Sequence, residues 1–137
     1  IKSLDDLTRE GIRVGTAHPE KSALGALTVR LLNHLKINIE KNLLLSSATG
    51  DFLVNQLRAG SLDAVIVYRS NALANSSTLD DAFIVNIDDP MAVAIQPFAI
   101  GTNSSHRNLM MRLLDSLTGT ESKSDFLKYG FKWEVKS

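Results

Sequence analysis

The chain has 137 residues, enough for one domain that buries roughly two thirds of its unfolded surface. Lys+Arg and Asp+Glu both number 15, so no net field draws nucleic acid or an anionic membrane, and an anion must be held by local geometry. The lack of cysteine excludes disulfides, thiolate metal sites and a cysteine nucleophile without fixing the compartment, and no apolar run approaches the length of a membrane span.

The chain opens on Ile1 rather than Met and shows no basic-then-apolar leader, which implies that a signal peptide, a lobe or some other segment came before it. "SLDDL" (residues 3–7) reads as a short capped turn, with Ser3 as N-cap and Asp6 at the reciprocal position. "IRVGTA" (12–17) reads as a strand running into the loop "HPEKS", after which Leu24, Leu27, Leu31 and Leu35 fall on one helical stripe. "LLLSSAT" (43–49) is a second strand, and Gly50 and Asp51 open a helix carrying Phe52, Leu53, Leu57 and Arg58 that closes at "AGSLD". "AVIVY" (64–68) is a continuous β-prone run of the kind found in a parallel strand covered on both faces. Strand, helix, strand, helix, strand gives an α/β domain with right-handed crossovers.

Further on, "LANSSTLDD" (73–81) is the most loop-like stretch, while "FIVNI" (83–87) and "AVAIQPFAIGT" (92–102) read as strands, Pro97 marking an edge or a bulge. Leu109, Leu113 and Leu117, with Met110 and Leu114, predict an amphipathic helix; a last helix over 120–129 stops at Gly130.

In an open α/β sheet the carboxyl ends of the strands share one rim, where ligands usually bind. Three segments end there: "HPEKSALG" before the helix at Leu24, "SSATGD" before the helix at Gly50, and "VIVYRS", which delivers Tyr68. Helix N-termini offer unpaired backbone N–H groups and the positive end of a macrodipole, which together hold an anion without Lys or Arg, and Tyr68 adds a phenolic donor. Position by position, however, a hydroxyl before a helix is more often an N-cap, a glycine a turn residue, and a tyrosine at a strand end a core-edge residue with its hydroxyl in water.

The order of the pieces adds a second argument. "SLDDLTREGIRVGTAHPEKSALGALTVRLL", "SSATGDFLVNQLRAGSLDAVIVYRSNA", "QPFAIGTNSSHRNLMMRLLDSL" and "KYGF" resemble, in sequence and spacing, the C-terminal portion of periplasmic molybdate-binding proteins, the type-II substrate-binding proteins of ABC importers. The resemblance implies an α/β fold of the periplasmic-binding-protein type II kind, a mixed sheet flanked by helices. It makes residues 1–137 a single substrate-binding domain, lobe two plus C-terminal return segments, without the N-terminal lobe. It also implies a tetrahedral oxyanion ligand, molybdate or tungstate, held by neutral donors that fall on Leu24, Gly50 and Tyr68, with no cofactor, metal or catalytic residue.

The implied partner is an ABC-importer permease, the implied location periplasmic or extracytoplasmic, and a homodimer is one way to replace the missing lobe. Binding by half a cage is expected to be weak. His18-Pro19 stands where the family more usually has Asp-Pro, and Ala23 where a second proline is common; for His18 the expectation is a solvent-exposed loop residue.

Asp51 bears on ligand choice. Molybdate is fully deprotonated near neutral pH and needs donors on every side, whereas a phosphate site can use a carboxylate that accepts its remaining proton. Within the first turn of a helix, Asp51 reads as complementing the dipole rather than facing the ligand.

An enzyme reading has little to stand on. The pairs Asp5/Asp6, Asp80/Asp81 and Asp88/Asp89 read as turn caps, and His34 and His106 lack metal-ligand spacing. The rival functions share the fold: an effector domain of a LysR-type regulator, a receptor sensor domain, or a degenerate interaction module.

Overall fold

The computed structural model describes residues 1–75 and 82–134. It forms two compact units, Ile1–Ala94 and Ile95–Ser137.

The first unit is built on a three-stranded sheet in the order β2-β1-β3, with β1 at Val14–Ala17, β2 at Leu43–Ser47 and β3 at Ala64–Val65. All described strands are parallel, so the sheet is not the mixed one expected. Helix α1 (Ala23–His34) connects β1 to β2, and α2 (Gly50–Arg58) connects β2 to β3. The central strand is buried throughout, with a strand on each edge and side chains of α1 and α2 against its two faces. Val14 faces a core of Leu7, Leu32, Ile39 and Ile66. Gly15 points the other way, where a side chain would run into Leu62 and Leu53.

The buried face of α1 differs from the leucine stripe. It consists of Leu24, Gly25, Thr28, Leu31 and Leu32, while Leu27 is half-buried and Leu35 is exposed. Thr28 is tolerated inside because its hydroxyl donates to Leu24 O at 2.8 Å, leaving no polar atom unpaired. The helix ends in a Schellman turn: Lys36, at φ 57°, donates to Asn33 O and Ile37 donates to Leu32 O at 2.9 Å. The same turn closes α2 at Gly60 (φ 70°), through Gly60 N–H to Leu57 O and Ser61 N–H to Gln56 O.

Arg13 and Asp63 lock the starts of β1 and β3. Arg13 donates from its backbone N–H and Nε to Asp63 Oδ2 and from Nη2 to Oδ1, and the Asp63 N–H donates to Arg13 O. Those hydrogen bonds to Arg13 hold the Asp63 carboxyl at about 2, well below its ordinary 3.8. At the N-terminus, Asp6 accepts from the N–H groups of Lys2 and Ser3, which is the reciprocal half of the expected cap. The other half fails: the turn is a 3-10 helix at Asp5–Thr8 that begins after Leu4, and the Ser3 side chain caps nothing.

Three departures concern the chain beyond β3. Pairing in β3 stops at Val65, and Tyr68 is the N-cap of a short helix, α3 (Arg69–Ala74), that takes the place of the first part of the expected loop; residues 76–81, including Asp80 and Asp81, lie outside those described. Segments 83–87 and 92–102 form no strand. Their β-prone composition meets no partner among the described residues, and Phe83 is 92% exposed and Ile95 85%; a strand is defined by pairing, which composition does not guarantee. Between them a 3-10 turn at Pro90–Ala92 is capped by Asp89, whose Oδ1 accepts from Met91 N–H at 2.7 Å.

The second unit holds α4 (Arg107–Thr118) and α5 (Thr120–Lys128), joined at Gly119. The expected stripe on α4 is only partly covered: Leu114, Leu117 and Met110 are half-buried, and Leu109 is 61% exposed. Helix α5 stops where expected, at Gly130 (φ 83°), with Phe131 donating to Phe126 O and the two rings meeting edge to face at 5.4 Å. The Trp133 ring also lies against Phe126, tilted by 46° with centroids 5.5 Å apart.

Candidate functional site

Parallel pairing places the carboxyl ends of β1, β2 and β3 on one edge of the sheet. Ala17 pairs with Ser47, and His18 N–H donates to Ser47 O at 2.7 Å, so β1 and β2 leave the sheet side by side. Gly15 pairs with Val65. Tyr68 follows three residues after the last pair.

The residues expected to hold a ligand all lie just beyond this edge. Leu24 is the second residue of α1; its side chain is buried, which leaves its backbone N–H as the group it can offer. Gly50 is the first residue of α2. Tyr68, half-buried, starts α3, and its carbonyl accepts from Asn71 and Ala72. The first turn of α1 is pressed onto the end of β1: Gly25 lies so close to Ala17 O and to the carbonyl of His18 that no side chain fits there.

Both long helices at this edge begin with a residue type that normally caps. Ser22 (φ −143°, ψ 132°) and Thr49 (φ −128°, ψ 144°) have the extended N-cap backbone, yet neither side chain makes a cap hydrogen bond. In α1 the backbone bonding begins only with Ala26 N–H to Ser22 O. Among the described residues the N–H groups of the first turns therefore receive no cap from Ser22 or Thr49, and they carry the positive end of each helix. Such an arrangement suits a small anion.

His18 is half-buried rather than fully exposed. Its Nδ1 accepts from Glu20 N–H at 3.2 Å, and its carbonyl accepts from Lys21 N–H, so the imidazole braces the loop that leads into α1. A neutral ring accepting at Nδ1 carries its proton on Nε2.

Asn71 is a residue that the sequence reading does not single out. From α3 its Nδ2 donates to Asp51 Oδ1 at 2.9 Å, and its Oδ1 lies 2.8 Å from where a Cβ on Gly50 would be. A second link lies at the far end of α2, where Arg58 Nη2 donates to Asn75 Oδ1 at 3.3 Å. The signal that would have found Asn71 is its place three residues after Tyr68, one helical turn further on.

Elsewhere, His34 is exposed in the last turn of α1 and His106 sits at the N-cap of α4. Among the described residues no group of three or more His, Asp or Glu is placed to hold a metal ion.

A family model described as bacterial extracellular solute-binding protein matches residues 1–132, a span that includes the whole of this edge. Neither a curated protein nor a solved structure gives a significant match to the chain.

Proposed function

The chain belongs to the family of bacterial extracellular solute-binding proteins, and from that premise we propose that it captures a tetrahedral oxyanion, molybdate or tungstate, for the permease of an ABC importer. The family places it outside the cytoplasm, and the periplasm is the compartment we assign. Among the described residues no helix is long and apolar enough to cross a membrane.

One observation carries the ligand class: Ser22 and Thr49 occupy the N-cap positions of the two helices that begin at this edge, and neither side chain claims a first-turn N–H group. Backbone N–H groups are donors only, as is suited to an anion that has no proton of its own to give. In this reading the N–H groups of Leu24 and Gly50 and the hydroxyl of Tyr68 each donate to a ligand oxygen. Since these donors approach from one side, the chain on its own is expected to bind modestly, with the other oxygens of the anion left to water or to further donors. Holding a dianion by oriented dipoles, without Lys or Arg, also leaves it free to depart.

Calorimetric titration of the folded chain with molybdate, tungstate, sulfate and phosphate tests this, with Tyr68→Phe alongside. Removing one hydrogen bond to a charged group costs about 1.5–3 kcal/mol, so the variant should bind molybdate or tungstate roughly ten to a hundred times more weakly. Absence of heat with every anion, from protein shown to be folded, refutes the oxyanion reading. Equal affinity in the variant removes Tyr68 from the site.

A further inference from the structure

We propose that Asn71 sets the ligand selectivity of this edge by holding the Asp51 carboxylate against α3, so that a fully deprotonated oxyanion is accepted and a protonated one is disfavoured. The inference rests on the oxyanion reading above.

Asp51 is the second residue of α2, next to Gly50. An ionised carboxylate is an acceptor only. Turned toward a bound dianion it repels it, whereas turned toward hydrogen phosphate it accepts the remaining proton and gains a charge-assisted hydrogen bond. The direction of this one side chain therefore decides which anion the donors of α2 favour. In the structure Asp51 is engaged from the α3 side. Asn71 Nδ2 donates to Asp51 Oδ1 at 2.9 Å. Asn71 Oδ1 lies near Gly50, close enough that a Cβ there would sit 2.8 Å from it.

Asn71 is itself held from both sides along its own helix. Its N–H donates to Tyr68 O at 3.0 Å, and its carbonyl accepts from Asn75 Nδ2 at 2.8 Å. Through the first of these bonds the residue that restrains Asp51 is tied to the tyrosine that would donate to the ligand. Glycine at position 50 fits the same account, because any larger residue displaces the Asn71 amide and frees the carboxylate.

The test is calorimetric titration of the full chain with molybdate and with phosphate near neutral pH, in the wild type, Asn71→Ala, Asp51→Ala and the double variant. Asn71→Ala should shift the molybdate-to-phosphate affinity ratio toward phosphate by about tenfold, equivalent to ~1.4 kcal/mol. Asp51→Ala should leave the ratio within about twofold of wild type, since the carboxylate is already out of play, and the double variant should return to the wild-type ratio. Asn71→Asp, with the same shape but no amide donor, carries the same prediction should the alanine variant unfold.

An unshifted ratio in Asn71→Ala or Asn71→Asp, with molybdate still bound by the wild type, overturns the role of Asn71 alone. A shift away from phosphate in Asp51→Ala does so too, because Asp51 would then already face the ligand. If the wild type binds neither anion, the oxyanion reading falls and this inference with it.

Discussion

Replacing Gly25 by alanine should be among the most damaging single-methyl changes available to this fold. An added Cβ would stand 2.6 Å from Ala17 O and closer still to the carbonyl C and O of His18. Ordinary contacts begin near 3.5 Å, so the overlap is about 1 Å against backbone atoms that have no rotamer to escape into. Those atoms are the end of the central strand, tied to β2 by His18 N–H to Ser47 O at 2.7 Å. Relief therefore requires α1 to back away from the sheet, lifting Leu24 and Thr28 out of contact on the same face. Overpacking of this kind costs typically 1–3 kcal/mol, offset in part by the higher helix propensity of alanine, and a net loss of about 1 kcal/mol is expected. Urea unfolding tracked by circular dichroism measures it as a lower midpoint at unchanged slope. Gly50→Ala serves as the control, because its obstacle is the Asn71 amide, which can turn aside. Gly25→Ala with a midpoint equal to wild type, or no lower than Gly50→Ala, would refute the close seating of α1 on β1.

The geometry sets the outcome of other substitutions too. The Asp63 carboxyl is held at about 2 rather than 3.8; because its folded-state value is depressed, the stability it lends is complete above about pH 4 and drains away as pH falls toward 2. With its side chain 35% exposed, the contribution is held to about 1 kcal/mol by solvent screening, and Asp63→Asn should flatten the acid limb of a stability–pH curve by that much. Ser22→Ala and Thr49→Ala should each change the unfolding free energy by less than about 0.5 kcal/mol, against the usual ~1 kcal/mol for losing an engaged cap; a full-sized loss would show that the hydroxyls cap in solution.

The β-α-β-α-β half of the chain is legible from its sequence because each element announces itself locally. Val14 to Ala17 and Leu43 to Ser47 are short runs bounded by loop residues, and Gly60 and Gly130 mark helix ends by the left-handed backbone they adopt. What escapes a sequence reading depends on partners distant along the chain. The burial of Thr28 in place of Leu35 is set by how closely Gly25 lets α1 approach β1, and a leucine count cannot see that. Segment 83–87 has a strand's composition but no described strand beside it. That Leu24 and Gly50 fall at helix starts is legible, whereas Tyr68, read as a strand end, is the N-cap of α3. The place of Asn71 is not legible, since its partner Asp51 lies twenty residues away and on a different helix.

The unengaged hydroxyls of Ser22 and Thr49 are hard to explain by stability alone. Each forgoes about 1 kcal/mol that a rotation toward its own helix would supply, in a domain whose whole margin is of order 5–15 kcal/mol. The same two helices are otherwise finished with care: both end in Schellman turns that satisfy their last carbonyls. The asymmetry between finished carboxyl ends and open amino ends makes sense if the amino ends are completed by the ligand. Binding then supplies the missing acceptor, and an anion that acts this way must stabilise the fold: at a concentration a hundredfold above its Kd the gain is about 2.7 kcal/mol, visible as a rise in Tm. Filling the cap instead with a tethered acceptor, as in Ser22→Asp, should raise the stability of the free protein and weaken anion binding together. A variant that gains stability while binding the anion as tightly as before would mean that the open helix ends serve something other than the ligand.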